Sequence, residues 1–584
     1  MPGPGRLPRP RPAPRPPPPR PLPVSRPPAQ GPGASGGGGA LGGAPDANPE
    51  LLTRGTGPDP EWIIRDFTPG MHVNPTRDAI QEQDLWWMEN LQPLASGNVV
   101  PSGGAFGFGS ANTAATNNGA SGVPYYTMLA NLGSRIGPSV FQLSCFPDGS
   151  AWLTDPTGTG SLLMAAGTLS GNNMTYAVNY TGSTRLGFLI IDPNGYWDYN
   201  ITAAGVLTKI GATVGTSIAT YAGRVWIGNN NTLSFTDINS YNSFGGAGGS
   251  ATLSDQYLGQ GITVLYAANN YLYIFGSTSV DVLSNVTVNA GVTSFSRVNV
   301  LQGIGCLNSN NMTVIGLGRG IVFLDVTGLY MLAGATPERI SERIQGCVRA
   351  GVINSPGPIV RPSCGLVNLN DELCLAFQVN IGDTFSHPTT QAQRILVFIY
   401  QRHRWWVTSD QFGDAPGVTA VGPLAGTPPL GTIFGAFRLQ ANTLPTWHQT
   451  QLFSGNKHWQ LRTKLWDGGK NFSEKQGLNV AISCQWVLGL VGPARATGIT
   501  FTVDSELQNT NAPVAIPNVP TLFIGQFPQQ FATQIVSDLM ATNQAYGSQY
   551  IGLTFFGALV SGSMPMAVLE CVAMRGKQER NMLE

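Results

Sequence analysis

One short pattern recurs seven times between Ala151 and His448: an apolar strand, a Gly/Asn/Asp turn, and a second strand carrying aromatics. The copies are Ala151–Ala166, Gly187–Ile201, Arg224–Ile238, Tyr271–Ser284, Ile321–Ala333, Ile395–Val407 and Thr432–His448. Most starts fall roughly 35–50 residues apart, the period of a propeller blade. The interval before Ile395 is longer, and Leu373–Val379 reads as an extra strand inside it. An isolated hairpin cannot bury its apolar face. Repetition around an axis can, because each sheet covers its neighbour and leaves only short edges. The pattern therefore predicts an all-β chain built on a β-propeller of six or seven blades.

Composition agrees with crowded sheets. Only 11% of the 584 residues are charged, against about 25% in ordinary globular proteins. Glycine numbers 74, and Ser, Thr, Asn and Gln carry most of the polarity. The formal net charge is zero, which favours association and suits a protein held inside an assembly. Strands such as Val225–Ile227, Leu272–Phe275 and Leu396–Tyr400 are too evenly apolar for a half-exposed sheet and read as buried on both faces. Asp192-Pro-Asn-Gly195 and Asp325-Val-Thr-Gly328 are turn signals, with a positive φ expected at Gly328.

Three regions are expected. Residues 1–60 form a Pro/Arg/Gly-rich arm, disordered or polyproline-II-like because it has too few large apolar groups to offset the entropy of ordering. Residues 61–460 hold the propeller. They start with a short apolar segment (Trp62, Ile63, Ile64, Phe67) and a turn at Pro69-Gly70. A helix is expected over Asp78–Asn90, capped by Asp78 with Ile80, Leu85, Trp86 and Met88 on its apolar side. Residues 95–134 carry no charge and read as a long loop or a surface packed on another subunit. Residues 461–584 read as a separate β-rich C-terminal domain, a sandwich. Within it Tyr550–Leu569 is a charge-free run of membrane-spanning length. Gly552, Gly557, Gly562 and Pro565 interrupt it, so two strands around a Gly/Ser turn are expected and no membrane span.

No constellation for catalysis, cofactor or metal can be nominated. The histidines (His72, His387, His403, His448, His458) stand at no metal-ligand spacing. The seven cysteines (Cys145, Cys306, Cys347, Cys364, Cys374, Cys484, Cys571) form no C-x-x-C pair and read as small buried hydrophobes in a reducing compartment. Several N-x-[ST] sequons occur without a signal peptide, so glycosylation is not expected. Neither a phosphate-cradling loop nor a dinucleotide fingerprint is present. A G-x-S-x-G match at Gly33–Gly37 lacks the strand and helix that a hydrolase elbow needs. Ser144–Trp152 approaches a sialidase Asp box, with Asp148 two positions late and no second copy. No carboxylate pair for glycoside cleavage stands out. Two basic–aromatic groups, Arg402-His-Arg-Trp-Trp406 and Lys457-His-Trp459 with Arg462 and Lys464, could stack bases or sugars. The first is expected to pack its tryptophans between blades, and the second to mark a domain junction.

Two stretches resemble a known family. Arg65-Asp-Phe-Thr-Pro-Gly70, Asp78, Gln83 and Trp87-Met-Glu-Asn90 are similar to the opening segment of tailed-phage proteins. Across Tyr271–Arg343, Leu272-Tyr-Ile-Phe-Gly276, Val280-Asp-Val-Leu283, Phe295 with Arg297, Gly303-Ile-Gly-Cys306, Gly320-Ile-Val-Phe-Leu324, Gly328-Leu-Tyr-Met-Leu332 and Pro337-Glu-Arg-Ile-Ser341 follow in the order of the podovirus tail-nozzle, or packaged-DNA stabilisation, proteins. The resemblance implies a non-enzymatic virion protein, made in the host cytoplasm and built into the tail. It implies a ring of identical subunits, a hexamer, below the portal and adaptor, contacting tail fibres or spikes. Packaged double-stranded DNA would be held above the ring and pass through it on infection. A carbohydrate-binding or carbohydrate-cleaving propeller on the virion is the alternative, and a cellular interaction scaffold a third reading.

Because the arm buries little apolar surface, removing residues 1–48 should leave the melting temperature unchanged. A large fall on calorimetry would show that the folded body begins earlier.

Overall fold

The computed structural model describes residues 61–581 apart from short loops and the longer stretches 109–125, 132–139, 346–362, 382–391, 409–421, 424–431, 435–443, 449–457, 487–497, 506–513, 516–534 and 541–549. The protein is all β; the one named helical element among the described residues is a single 3-10 turn, Glu342–Ile344. No helix among them is long and apolar enough to cross a membrane.

Among the described residues there are seven antiparallel four-stranded meanders, the last completed by a strand from upstream. The first spans Tyr126–Asn131, Val140–Cys145, Ala151–Thr154 and Gly160–Met164; the second Tyr176–Gly182, Arg185–Asp192, Gly195–Asn200 and Val206–Lys209. The third spans Ser217–Tyr221, Arg224–Asn229, Thr232–Phe235 and Gly249–Thr252; the fourth Val264–Ala268, Tyr271–Phe275, Ser279–Asn289 and Val292–Gln302. The fifth spans Val314–Leu317, Gly320–Asp325, Gly328–Ala333 and Thr336–Arg339; the sixth Ser363–Leu369, Glu372–Ile381, Ala392–Ile399 and Arg404–Thr408. The seventh takes Gly422–Pro423, Thr432–Phe434 and Leu444–His448 from one part of the chain and Ala105–Phe108 from far upstream. All seven expected hairpins are present, and Glu372–Ile381 contains the extra strand. The first strand of each sheet packs beside that of the next, and Gly422–Pro423 packs beside Tyr126–Asn131.

The middle strands show why their sequences are unbroken apolar runs. Successive side chains on a strand point to opposite faces. Phe188 and Ile190 enter the core shared with the first sheet, while Leu189 and Ile191 enter the core shared with the third. Leu272 and Ile274 face the third sheet; Tyr273 and Phe275 face the fifth. Ile321 and Phe323 face the fourth sheet, and Val322 and Leu324 face the sixth. Each such side chain taken from water stabilises by about 1.5–3 kcal/mol.

The hairpin turns also hold the links between sheets. Asp192, fully buried, closes its own turn through Asn194 N (2.9 Å) and grips the incoming link through Ser170 N (2.9 Å), Ser170 Oγ (2.9 Å) and Thr175 Oγ1 (2.6 Å). Asp325 repeats the device with Thr327 N (2.8 Å) and Gly305 N (3.1 Å).

The other described strands form two larger sheets over one core. The sixth meander continues from Arg404–Thr408 through Leu85–Glu89, His458–Thr463, Ile551–Ala558, Ile499–Ser505 and Val514–Ala515 into a nine-stranded sheet. Facing it, Leu91–Pro93, Val99–Pro101, Met566–Asn581, Ser473–Trp486 and Ile535–Val536 run in order, with Glu61–Ile64 and Leu539–Met540 alongside. Trp62, Met88, Trp406, Leu461, Ile482, Phe501 and Val572 share the core between them.

Several expectations are corrected here. Asp78–Asn90 is not a helix: Leu85–Glu89 is a strand buried along its whole length. Trp87 goes to the core with the fifth and sixth sheets and Met88 to the opposite one, so an apolar run that suggested one helical face serves two strand faces. Residues 95–134 contain the strands Val99–Pro101, Ala105–Phe108 and Tyr126–Asn131. The boundary drawn at 460/461 cuts through His458–Thr463, and Thr53–Glu584 is one compact unit. Tyr550–Leu569 supplies two strands, which belong to different sheets. The arm lies outside the described residues up to 60.

Gly328 has φ +144°, and a Cβ placed on it would lie 2.6 Å from the Ser341 hydroxyl and 2.8 Å from Gln345 Oε1. Gly328→Val should lose about 1–3 kcal/mol in urea denaturation. Unchanged stability would remove the strained turn from this account.

Candidate functional site

The two stretches that carry the family resemblance, far apart in sequence, meet at one polar junction. Phe67 is buried, and its amide donates to Gly97 O at 2.8 Å, fixing the Asp66–Gly70 turn. Gly70, at φ +65°, lies on the backbone of Trp405, where a Cβ would come within 2.9 Å of the carbonyl oxygen. The chain then bonds outward in three steps: Met71 N to Trp405 O (2.8 Å), His72 N to Leu85 O (2.8 Å) and Val73 N to Arg343 O (2.8 Å).

At the centre is Asp84, fully buried. His72 Nδ1 donates to its Oδ2 at 2.7 Å, and Arg343 Nη2 donates to Oδ1. Burial alone would raise this carboxyl. The His72 hydrogen bond and the Arg343 charge outweigh burial and hold it below its ordinary value of 3.8. Trp405 Nε1 donates to Ile340 O at 2.8 Å, tying the sixth sheet to the Pro337–Ser341 stretch. Arg404 stands nearby, its pKa lowered by burial and by Arg343, with Asp84 opposing.

A second knot joins this segment to the C-terminal strands. Arg77 donates to Asp504 Oδ2 (2.5 Å), Thr463 O (2.5 Å) and Leu553 O (2.8 Å). Thr502 and Thr554 hydroxyls also bond Asp504. Arg77 and Arg462 both lie over the Trp86 ring, 5.9 and 5.8 Å from its centroid. Burial, with the charge of Arg77, pushes Arg462 down to about 10.

The basic–aromatic residues are structural ties. Arg402 clasps Glu372 through Nε (2.8 Å) and Nη2 (2.6 Å) and donates to Pro93 O (2.6 Å). His403, at φ +52°, bonds Glu338 at 3.2 Å. Trp405 packs between the fifth and sixth sheets as expected, but Trp406 enters the core between the two large sheets instead. Trp459 and Leu461 enter that same core from His458–Thr463, while Lys457 lies outside the described residues. Asp148 sits in a hairpin turn, bonded to Ser150 N at 2.8 Å. Cys145, Cys306, Cys374 and Cys484 are buried, and burial pushes the Cys145 and Cys484 thiols far up. His387, His448, Cys347 and Cys364 carry no described side chain. No group of three or more His, Cys, Asp or Glu side chains suited to a metal occurs among the described residues.

Sequence reasoning missed a further cluster. Arg185 pairs with Asp198 and lies 4.1 Å from the Tyr241 ring centroid and 5.2 Å from that of Tyr180. Tyr196 donates to Tyr241 O at 2.7 Å. Nothing local marks it, because the partners come from two sheets.

No protein-family model matches the chain, and no curated protein matches it. Among solved structures it is similar to BBS1N in complex with ARL6DN, at 9% identity over 57% of this chain and 94% of that one, with a TM-score of 0.35. It is similar to the N-terminal domain of Nup159 at 12% identity over 59% and 97%, TM-score 0.32. The Niastella koreensis GH74 enzyme is similar at 14% identity over 56% and 43%, TM-score 0.29. Likenesses of this size say nothing about what the chain does.

Asp84→Asn should cost about 2–4 kcal/mol at neutral pH, since it leaves the half-buried Arg343 guanidinium facing a neutral amide. A carboxyl lowered on folding stabilises above its unfolded pKa, and that contribution is lost as pH falls through the folded value. The penalty should therefore hold down to about pH 4 and shrink below it in urea titrations. A penalty independent of pH would sink this assignment.

Proposed function

We propose that the seven meanders close into a seven-bladed β-propeller and that the protein is a structural subunit of a tailed-phage tail nozzle. In this reading six copies form a ring below the portal and adaptor. The ring retains packaged DNA and lets it pass on infection. The observation that carries the reading is the cyclic order of the first strands, with Ala105–Phe108 completing the last sheet. The meeting of Arg65–Asn90 with Pro337–Arg343 at the Asp84 junction supports it, because these are the stretches that resemble the nozzle family.

The physical demands of the task match the chain. Containment needs stiffness and broad subunit contacts and no reacting group. Opening one sheet of a closed ring breaks strand pairing and two inter-sheet cores at once. Sparse charge lowers the desolvation cost of burying surface between subunits. A wall with few Lys and Arg also binds phosphates weakly, so it does not slow a passing duplex.

Purified particles of the source virus should contain about six copies per portal ring, and images of the isolated tail should place them below the adaptor. Absence from particles overturns the reading. Glycan capture or sugar release by the purified chain would favour the carbohydrate-binding alternative.

A further inference from the structure

Arg224 begins the second strand of the third sheet and is 1% exposed. Its guanidinium lies under the segment running from Phe235 to Gly249. Nη1 donates to Thr236 O and, at 2.9 Å, to Ala247 O, and the Phe235 ring stands 5.8 Å away. Nε and Nη2 have no acceptor among the described residues. These two N–H groups share one edge of the guanidinium and point the same way, the fork that grips an anion with two parallel hydrogen bonds.

The cover over Arg224 is built. Thr236 Oγ1 accepts from Val225 N (2.9 Å) and donates to Ser240 O (2.7 Å). Asp237 N bonds Ser243 O (2.8 Å), Asn239 N bonds Gly223 O (2.7 Å), and Thr293 of the fourth sheet bonds Ala247 O. The carboxylate that acts on Arg224, Asp237, is half-buried and makes no hydrogen bond to it; its Oδ1 accepts from Ile238 N at 2.7 Å. A buried cation with two unmet donors and no contact counter-charge is costly.

We propose that the Nε/Nη2 edge of Arg224 binds a small monovalent inorganic anion, of which chloride is the type. A water would accept the same two hydrogen bonds but leave the charge uncompensated. A larger carboxylate or phosphate ester would have to lift the segment that covers the side chain. The bound anion would fasten that segment to the third sheet, since Arg224 holds both of its ends.

The full chain is melted in sodium chloride and in sodium gluconate at equal ionic strength. The melting temperature should rise saturably with chloride, by about 2 °C or more, and Arg224→Met should abolish the difference. Equal melting in the two salts, or a difference that survives the substitution, overturns the proposal. Should the variant fail to fold, crystals of the unaltered protein soaked in bromide decide it. An anomalous peak beside Nε and Nη2 supports the site, and no peak there overturns it.

Discussion

Sharing of middle strands between two cores is the constraint on which the structure depends. A strand such as Phe188–Ile191 sends alternate side chains in opposite directions, into cores that its sheet shares with the sheet before it and the sheet after it. For such sheets stability accrues at the interfaces with both neighbours, as in other repeat architectures. That requirement explains the unbroken apolar runs and the buried aspartates that fix links in place. It also explains how so few charges suffice: tight turns and inter-sheet contacts set much of the geometry.

The Asp84 junction solves a different problem. Here three separately ordered parts must keep a fixed relation: the end of the fifth sheet, the edge of the sixth and the opening segment. Apolar packing alone is non-directional. A buried carboxylate held by His72 from one part and Arg343 from another is directional, and the Trp405 indole bond to Ile340 O adds a second fixed vector. Arg77 and Asp504 repeat the logic toward the C-terminal strands.

Much of the repeat was legible because hairpins are local. Asp192-Pro-Asn-Gly195 carries its turn in four adjacent residues, and its strands declare burial by composition. What the sequence concealed was long-range. Leu85–Glu89 looked helical because Leu85, Trp86 and Met88 satisfy a helical spacing as well as two strand faces; its partners, His458–Thr463 and Val407, lie hundreds of residues away. The sixth meander's extension into the nine-stranded sheet was hidden for the same reason, as was the pairing of Arg185 with Tyr241. Asp84 gave no signal because a lone aspartate before an apolar run reads first as a cap or a turn.

The upstream origin of Ala105–Phe108 has a consequence for biosynthesis. During translation this strand emerges before any of the other three strands of its sheet, and it must wait unpaired until Leu444–His448 has left the ribosome. The nascent chain can therefore stack its first six modules vectorially, yet it can latch the seventh only at a late stage. A truncated product ending before that point would keep a sticky ribbon at its front and an uncovered flank at its back.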